Sequence, residues 1–207
     1  MPLKKYHLIL LLVVLAFWVW SGIKPHDTYL TWFLETLPVM IALPIILFTY
    51  HRFRLTDLTY TLIAIHAMIL MLGGHYSYAK VPLGFWMEDL FGWTRNNYDK
   101  IGHLMQGFGP AIYVREIIAR TSPVKKGNWL VLFSVAVPLA FSALYEILEW
   151  AASLSNPNDT EAFLGTQGYL WDTQTDMFLC LLGSILALLA LTKLHNQYLL
   201  KMQPPQK

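Results

Sequence analysis

Cysteine is almost missing from this chain: Cys180 stands alone, which excludes an intrachain disulfide and a multi-cysteine metal site. Charge is scarce as well, at 14% of residues, and the formal net charge is only +2. With no basic run interleaved with aromatics, nothing points to nucleic acid as a partner. No fixed-period repeat and no low-complexity tract occurs. The apolar run "HLILLLVVLAFWVWSGI" ends in bulky aromatics, without the short core and small-residue cleavage site of a secretory signal, and is read as a retained first span.

What the chain has in quantity is hydrophobicity. Apolar residues make up 56% of it, with 8 Trp and a mean hydropathy of +0.43, too apolar for an ordinary soluble domain. Stretches approaching the roughly 20 residues needed to cross a bilayer lie at about 7–23, 33–50, 56–73, 98–119, 129–151 and 172–193. The expected fold is therefore all-α, a polytopic membrane bundle of about six helices forming one membrane domain over residues 1–207. Breaks fall at "KPHD", "HRFRLTD", "SPVKKGN" and "SNPNDTEAFLGTQGYLWD". Residues 74–97, mixed polar and aromatic, read as an interfacial loop or short amphipathic helix with an aromatic belt.

Six spans put eleven of the fifteen Lys and Arg on one face, among them Lys4, Arg52, Arg115, Arg120 and Lys201. That face is expected to be cytoplasmic, with both termini on it and Arg115 and Arg120 as topology anchors. The acids sort the other way. Only Asp57 and Glu116 fall with the basic residues, leaving eleven of thirteen on the outer side.

Those outer acids come in pairs at helical spacing. Asp99 and His103 stand at i and i+4, Glu146 and Glu149 at i and i+3, and Asp172 and Asp176 at i and i+4, so each pair shares a helix face. His75 closes the third span at the same leaflet. Ionisable groups within spans cost about 2.5–3.5 kcal/mol each on the insertion scale, so they normally face a protein interior or a water-filled cavity. Five carboxylates with one or two imidazoles would repel unless some hold protons or a cation sits among them.

One divalent metal ion is the expected cofactor. His75, Asp99, His103, Glu146, Glu149, Asp172 and Asp176 are its candidate ligands; the oxygen majority favours Mg²⁺, Mn²⁺ or Ca²⁺, while the histidines keep Zn²⁺ open. Such an ion could activate water or polarise a phosphoryl or acyl oxygen, making Asp99, His103, Glu146 and Asp176 the candidate catalytic residues. Arg95 and Lys100 would clamp an anionic head group of a membrane lipid or envelope intermediate.

Plainer roles are open for each. Asp99 and Asp172 can cap their helices, Glu149 can pair with Lys100 or Arg95, and His75 can bond to backbone. His66, alone on an apolar span, reads as a satisfied core histidine. Two other classes remain: an ion- or proton-coupled transporter, and a structural subunit held by a buried salt-bridge cluster. A transporter relay needs ionisable groups at several depths, and below the outer third only His66 is expected.

The phrases "RNNYDKIGHLMQGFGPA", "YEILEW" and "FLGTQGYLWDTQTDM", in that order, resemble the YjdF-type bacterial inner-membrane proteins over nearly the whole chain. More distantly the pattern is similar to the VanZ-like membrane proteins, which carry an Asp-Lys-x-x-His helix, a glutamate closing the next helix and an aspartate opening a glycine-containing last one. The resemblance implies an inner-membrane location. It also maps those features onto Asp99, Lys100 and His103, then Glu146, then Asp176 and Gly183. Glu149 stands where the VanZ-like pattern has a glutamine, and the loop before the last helix lacks an arginine.

Overall fold

The computed structural model describes residues 3–155 and 167–202. Phe163 to Thr166 of the third motif, and Lys207 of the basic face, fall outside the described residues. Among those described, seven α-helices follow in order, with no strand: α1 (Lys5–Ser21), α2 (Tyr29–Thr49), α3 (Asp57–Tyr76), α4 (Pro82–Phe91), α5 (Tyr98–Thr121), α6 (Asn128–Ser155) and α7 (Asp172–Met202). A 3₁₀ turn, Tyr78–Lys80, precedes α4. The chain is an all-helical membrane bundle.

Local sequence explains where the helices start. Thr28 and Thr56 cap α2 and α3, each hydroxyl accepting the amide of the residue three positions on. Pro38 and Pro44 in α2, Pro110 in α5 and Pro138 in α6 lie inside helices. Within a membrane, neighbouring helices can satisfy the carbonyls such prolines free. Four helices are long and apolar enough to cross a membrane: α2, α3, α6 over Asn128–Ala151, and α7. The 17 residues of α1 cover about 25 Å, shorter than a typical span. Asp99, Lys100, Arg115, Glu116 and Arg120 make α5 the polar helix of the set.

Packing centres on α5 and α7, with α6 against both and α3 joining this group to α1 and α2. Lipid tails are as apolar as leucine, so close backbone approach rather than hydrophobic burial drives helix association. Small residues supply that approach. A Cβ on Gly107 would collide with the Cys180 carbonyl of α7, and one on Gly183 with the Leu104 carbonyl of α5. The Ser184 hydroxyl donates across the same seam to the Gly107 carbonyl at 3.3 Å. Below it, Leu62, Met105, Ala111, Ile112 and Ala187 form a core between α3, α5 and α7. Exposed apolar residues such as Phe48 and Leu189, 77% and 78% accessible, face outward as a lipid-contacting surface requires.

The segment between α3 and α5 is folded tightly. Asn96, 1% exposed, donates to the Val81 carbonyl and accepts the Tyr98 amide, and it leaves no room for a Cβ on Gly84. Gln167 donates to the Asn96 carbonyl at 2.8 Å, tying the chain before α7 to the start of α5. These contacts set Arg95, Asp99 and Asp172 side by side.

Candidate functional site: an acidic cluster at one end of the bundle

At the end where α5 and α7 begin and α6 finishes, Lys100 stands between three carboxylates. Its Nζ lies 2.6 Å from Asp172 Oδ1, 2.7 Å from Asp176 Oδ1 and 3.1 Å from Asp99 Oδ2. The ammonium donates to Asp172 and Asp176 of α7 and forms an ion pair with Asp99 of α5. Arg95 adds a second cation, 2.7 Å from Asp172 Oδ1 and 3.8 Å from Asp99 Oδ2. Its guanidinium stacks on the Tyr169 ring at 4.8 Å. In this arrangement Lys100 bridges α5 and α7.

One turn deeper the balance changes. His103 Nε2 is 3.7 Å from Asp176 Oδ2 and 4.0 Å from Glu146 Oε1, beyond hydrogen-bond length. Its other nitrogen, Nδ1, is 3.0 Å from Gln106 Oε1. That contact assigns Nδ1 the proton, so in the neutral imidazole the Nε2 lone pair faces two carboxylate oxygens. Glu146 Oε1 is buried and has no hydrogen-bond partner. Three lone-pair donors therefore converge without a donor between them.

Among the described residues, two sets of potential ligand atoms each lie within 4.8 Å: His103, Glu146 and Asp176, and Asp99, Asp172 and Asp176. The second already holds the Lys100 ammonium; the first is open. Asp176 belongs to both.

The remaining sequence candidates sit differently. His75 is separate: its Nδ1 donates to the Ser21 carbonyl at 3.0 Å, and its ring packs on Trp20 at 4.4 Å. It joins α3 to the end of α1, and its place is the backbone-bonding one. Glu149, a turn beyond Glu146, has Glu35, Glu146, Asp172 and Asp176 as charged neighbours. Asp99 is not the N-cap of α5, a position held by Asn97; its Oδ1 accepts the Lys100 amide at 2.9 Å. Asp172 opens α7, but its Oδ1 is taken by Arg95 and Lys100. His66 is not satisfied, since its buried Nε2 has no hydrogen-bond partner.

Residues unmarked in the sequence also matter. Glu35 of α2 reaches the same end, its buried Oε2 unpartnered. A lone glutamate six residues into a span was the available signal. Tyr78 lies against Gly73 and Gly102, where a Cβ would touch its ring, and burial pushes its phenol well above the usual range, leaving a neutral hydroxyl.

The opposite end corrects the expectation that only His66 lies deep. Glu116 is completely buried and accepts from the Thr56 amide and hydroxyl, Thr59 Oγ1 at 2.6 Å, and Arg120; His195 Nε2 lies 3.2 Å away. Arg115, 5% exposed, reaches His195 Nδ1 at 2.8 Å and Asn196 at 2.7 Å. It is a buried strut between α5 and α7 rather than a solvated anchor. Glu116 stands about 20 Å along α5 from His103, thirteen residues on.

Comparison with known proteins agrees with this membrane architecture. Residues 6–197 match the family described as "Predicted membrane protein (DUF2238)". The chain is also 46% identical to the inner membrane protein YjdF of Escherichia coli (strain K12) over 181 residues, covering 87% of this chain and 86% of that protein. No solved structure matches.

Proposed function

The chain belongs to the DUF2238 family of membrane proteins, and from that premise we propose that it carries an outward-facing polar site which binds one divalent cation and acts on or binds a lipid or cell-envelope intermediate. It is an integral inner-membrane protein. The supporting observation is that His103 Nε2 lies 4.0 Å from Glu146 Oε1, itself buried and unpartnered, and 3.7 Å from Asp176 Oδ2. Ligands about 2.1 Å from a common ion are separated by roughly 3–4 Å, the spacing found here. One imidazole with two carboxylates suits Zn²⁺ or Mn²⁺ better than the all-oxygen set expected for Ca²⁺.

The residues divide by role. His103, Glu146 and Asp176 would hold the ion, with Gln106 fixing the imidazole tautomer. Lys100 and Arg95 neutralise Asp99 and Asp172 and keep α5 and α7 in register. An ion so held could polarise a phosphoryl or acyl oxygen at the membrane surface, with Glu149 the nearby carboxylate for proton transfer. Both termini lie on the cytoplasmic side in this reading, and residues 1–207 form one membrane domain.

A second reading is favoured by the Lys100 contacts. An ion-pair network complete within the chain is what a structural subunit would use to fix its helices. Elemental analysis of the detergent-purified protein separates the two. Metal binding predicts a stoichiometric divalent ion that is lost in His103→Ala, Glu146→Ala and Asp176→Ala, and retained in His75→Ala. Wild-type protein that carries no ion and cannot be loaded with one overturns the metal site and moves the metal-free binding and structural readings ahead.

A further inference from the structure

Beside the acidic cluster, α2 packs on α3, and α6 packs on α5 and α7, which leaves a cleft between α2 and α6. Glu35 of α2 and Glu149 of α6 are charged neighbours across it, and Tyr78 and Tyr145 border both. We propose that this cleft binds a primary ammonium group, and that the amine head group of a phospholipid supplies it, an inference that rests on the lipid-site reading above.

The cleft is acidic and uncompensated. The strongest charged neighbours of Glu149 are Glu146, Asp176, Glu35 and Asp172, and that of Glu35 is Asp27. Among the described residues no Lys, Arg or His pairs with either glutamate. Acids alone do not make a binding site, but one atom here is orphaned. Glu35 Oε2 is buried without a hydrogen-bond partner. It lies over α3, 3.6 Å from where a Cβ on Gly74 would stand, so the carboxyl is turned inward rather than toward lipid. A buried acceptor left unpaired among other acids calls for a donor that carries positive charge.

Among the described residues neither glutamate belongs to a set of three ligand atoms within 4.8 Å of one another, so a divalent ion is not the natural occupant. An ammonium needs less. Its three N–H donors reach acceptors on two helices, as Lys100 Nζ does between α5 and α7, and phenol rings offer faces that attract a cation. The position fits a lipid. Ser142, Tyr145, Glu146, Glu149 and Ser153 share one face of α6 at spacings of three and four, and exposed Phe141 and Leu148 border that polar stripe. Glu146, of the proposed ion site, stands one turn from Glu149 along this stripe. The short link between phosphate and amine in an ethanolamine head group is of the length of one helical turn, about 5.4 Å. One head group can therefore present its phosphate to the ion and its amine to Glu35, with Glu149 between them.

The test uses the full-length protein in a neutral detergent. Its melting temperature is followed as dioleoylphosphatidylethanolamine, dioleoylphosphatidylcholine, dioleoylphosphatidylglycerol or free ethanolamine is added, and bound metal is measured on the same samples. Glu35→Gln and Glu149→Gln are compared with Asp89→Asn, which removes an exposed acid of α4 outside the cleft. The expected result is a saturable rise with phosphatidylethanolamine whose midpoint weakens roughly tenfold in Glu35→Gln, the loss of one charge-assisted hydrogen bond, and stays put in Asp89→Asn. A rise with free ethanolamine, equally sensitive to Glu35, makes the free amine the source and upholds the ammonium site. The proposal is overturned if no probe acts, if phosphatidylcholine or phosphatidylglycerol acts as well as phosphatidylethanolamine, if both glutamine variants keep the wild-type midpoint, or if Asp89→Asn loses as much. Amine-selective binding by a wild type without metal upholds the ammonium site and removes only the ion, whereas bound metal with no amine selectivity removes the ammonium site alone. Native mass spectrometry of the wild type, counting retained phosphatidylethanolamine against phosphatidylcholine, separates the same outcomes should the glutamine variants fail to fold.

Discussion

Replacing Lys100 by methionine keeps an unbranched side chain of similar length and removes only the ammonium. Three carboxylates, those of Asp99, Asp172 and Asp176, then lose a counterion that stood 2.6–3.1 Å from each. Asp172 and Asp176 are 7% and 4% exposed, so water cannot replace it well. Breaking a buried pair by deleting one partner costs about 3–5 kcal/mol. Lys100 is itself 15% exposed, and Arg95 still neutralises Asp172, so the lower figure of about 3 kcal/mol applies. For a chain of this size that is a fall of about 6–12 °C in melting temperature, read by circular dichroism in detergent. Lys100→Met/Asp176→Asn removes one of the stranded charges and should recover part of the loss, a coupling that additive effects would not produce. A fall of less than about 3 °C, with no recovery in the double variant, would refute the view that Lys100 is the counterion binding α5 to α7.

Two further outcomes follow from the packing and the charge distribution. Gly183→Ala puts a methyl against the Leu104 carbonyl, which is backbone and cannot turn aside, so α7 must shift at a cost of about 1–3 kcal/mol. Asp176 lies two turns away on the same helix, so metal content should fall together with the melting temperature; an unchanged melt would mean that the seam is looser than described. Orientation is checked with single cysteines in intact cells, because Cys180 is fully buried and contributes little background. A membrane-impermeant maleimide should label Glu88→Cys and spare Lys201→Cys, whereas the reverse pattern would invert the topology.

Composition and apolar run length are enough to set the class of fold and the membrane setting, because long apolar stretches have no other stable solvent and helices are the form that satisfies their backbone there. The sequence also picked out the acids at one end, since i, i+3 and i, i+4 spacing needs only helical geometry to put Asp99 with His103, or Asp172 with Asp176, on one face. Which of these acids meet a cation and which meet each other was settled by the crossing of α5 and α7 at Gly107 and Gly183. That approach delivers Lys100 to three carboxylates and leaves Glu146 Oε1 facing His103. His75 has the composition of a ligand, but the angle of α1 against α3 turns it onto the Ser21 carbonyl. Arg115 and Glu116 read as topology signals because sidedness is a property of charge counts. Their burial against His195 depends on the face that α7 presents some 20 residues beyond Asp176, and helical rise along one helix does not specify a partner on another. Spacing along a helix is a local property and survives in the sequence; the pairing of charges between helices belongs to the packed bundle.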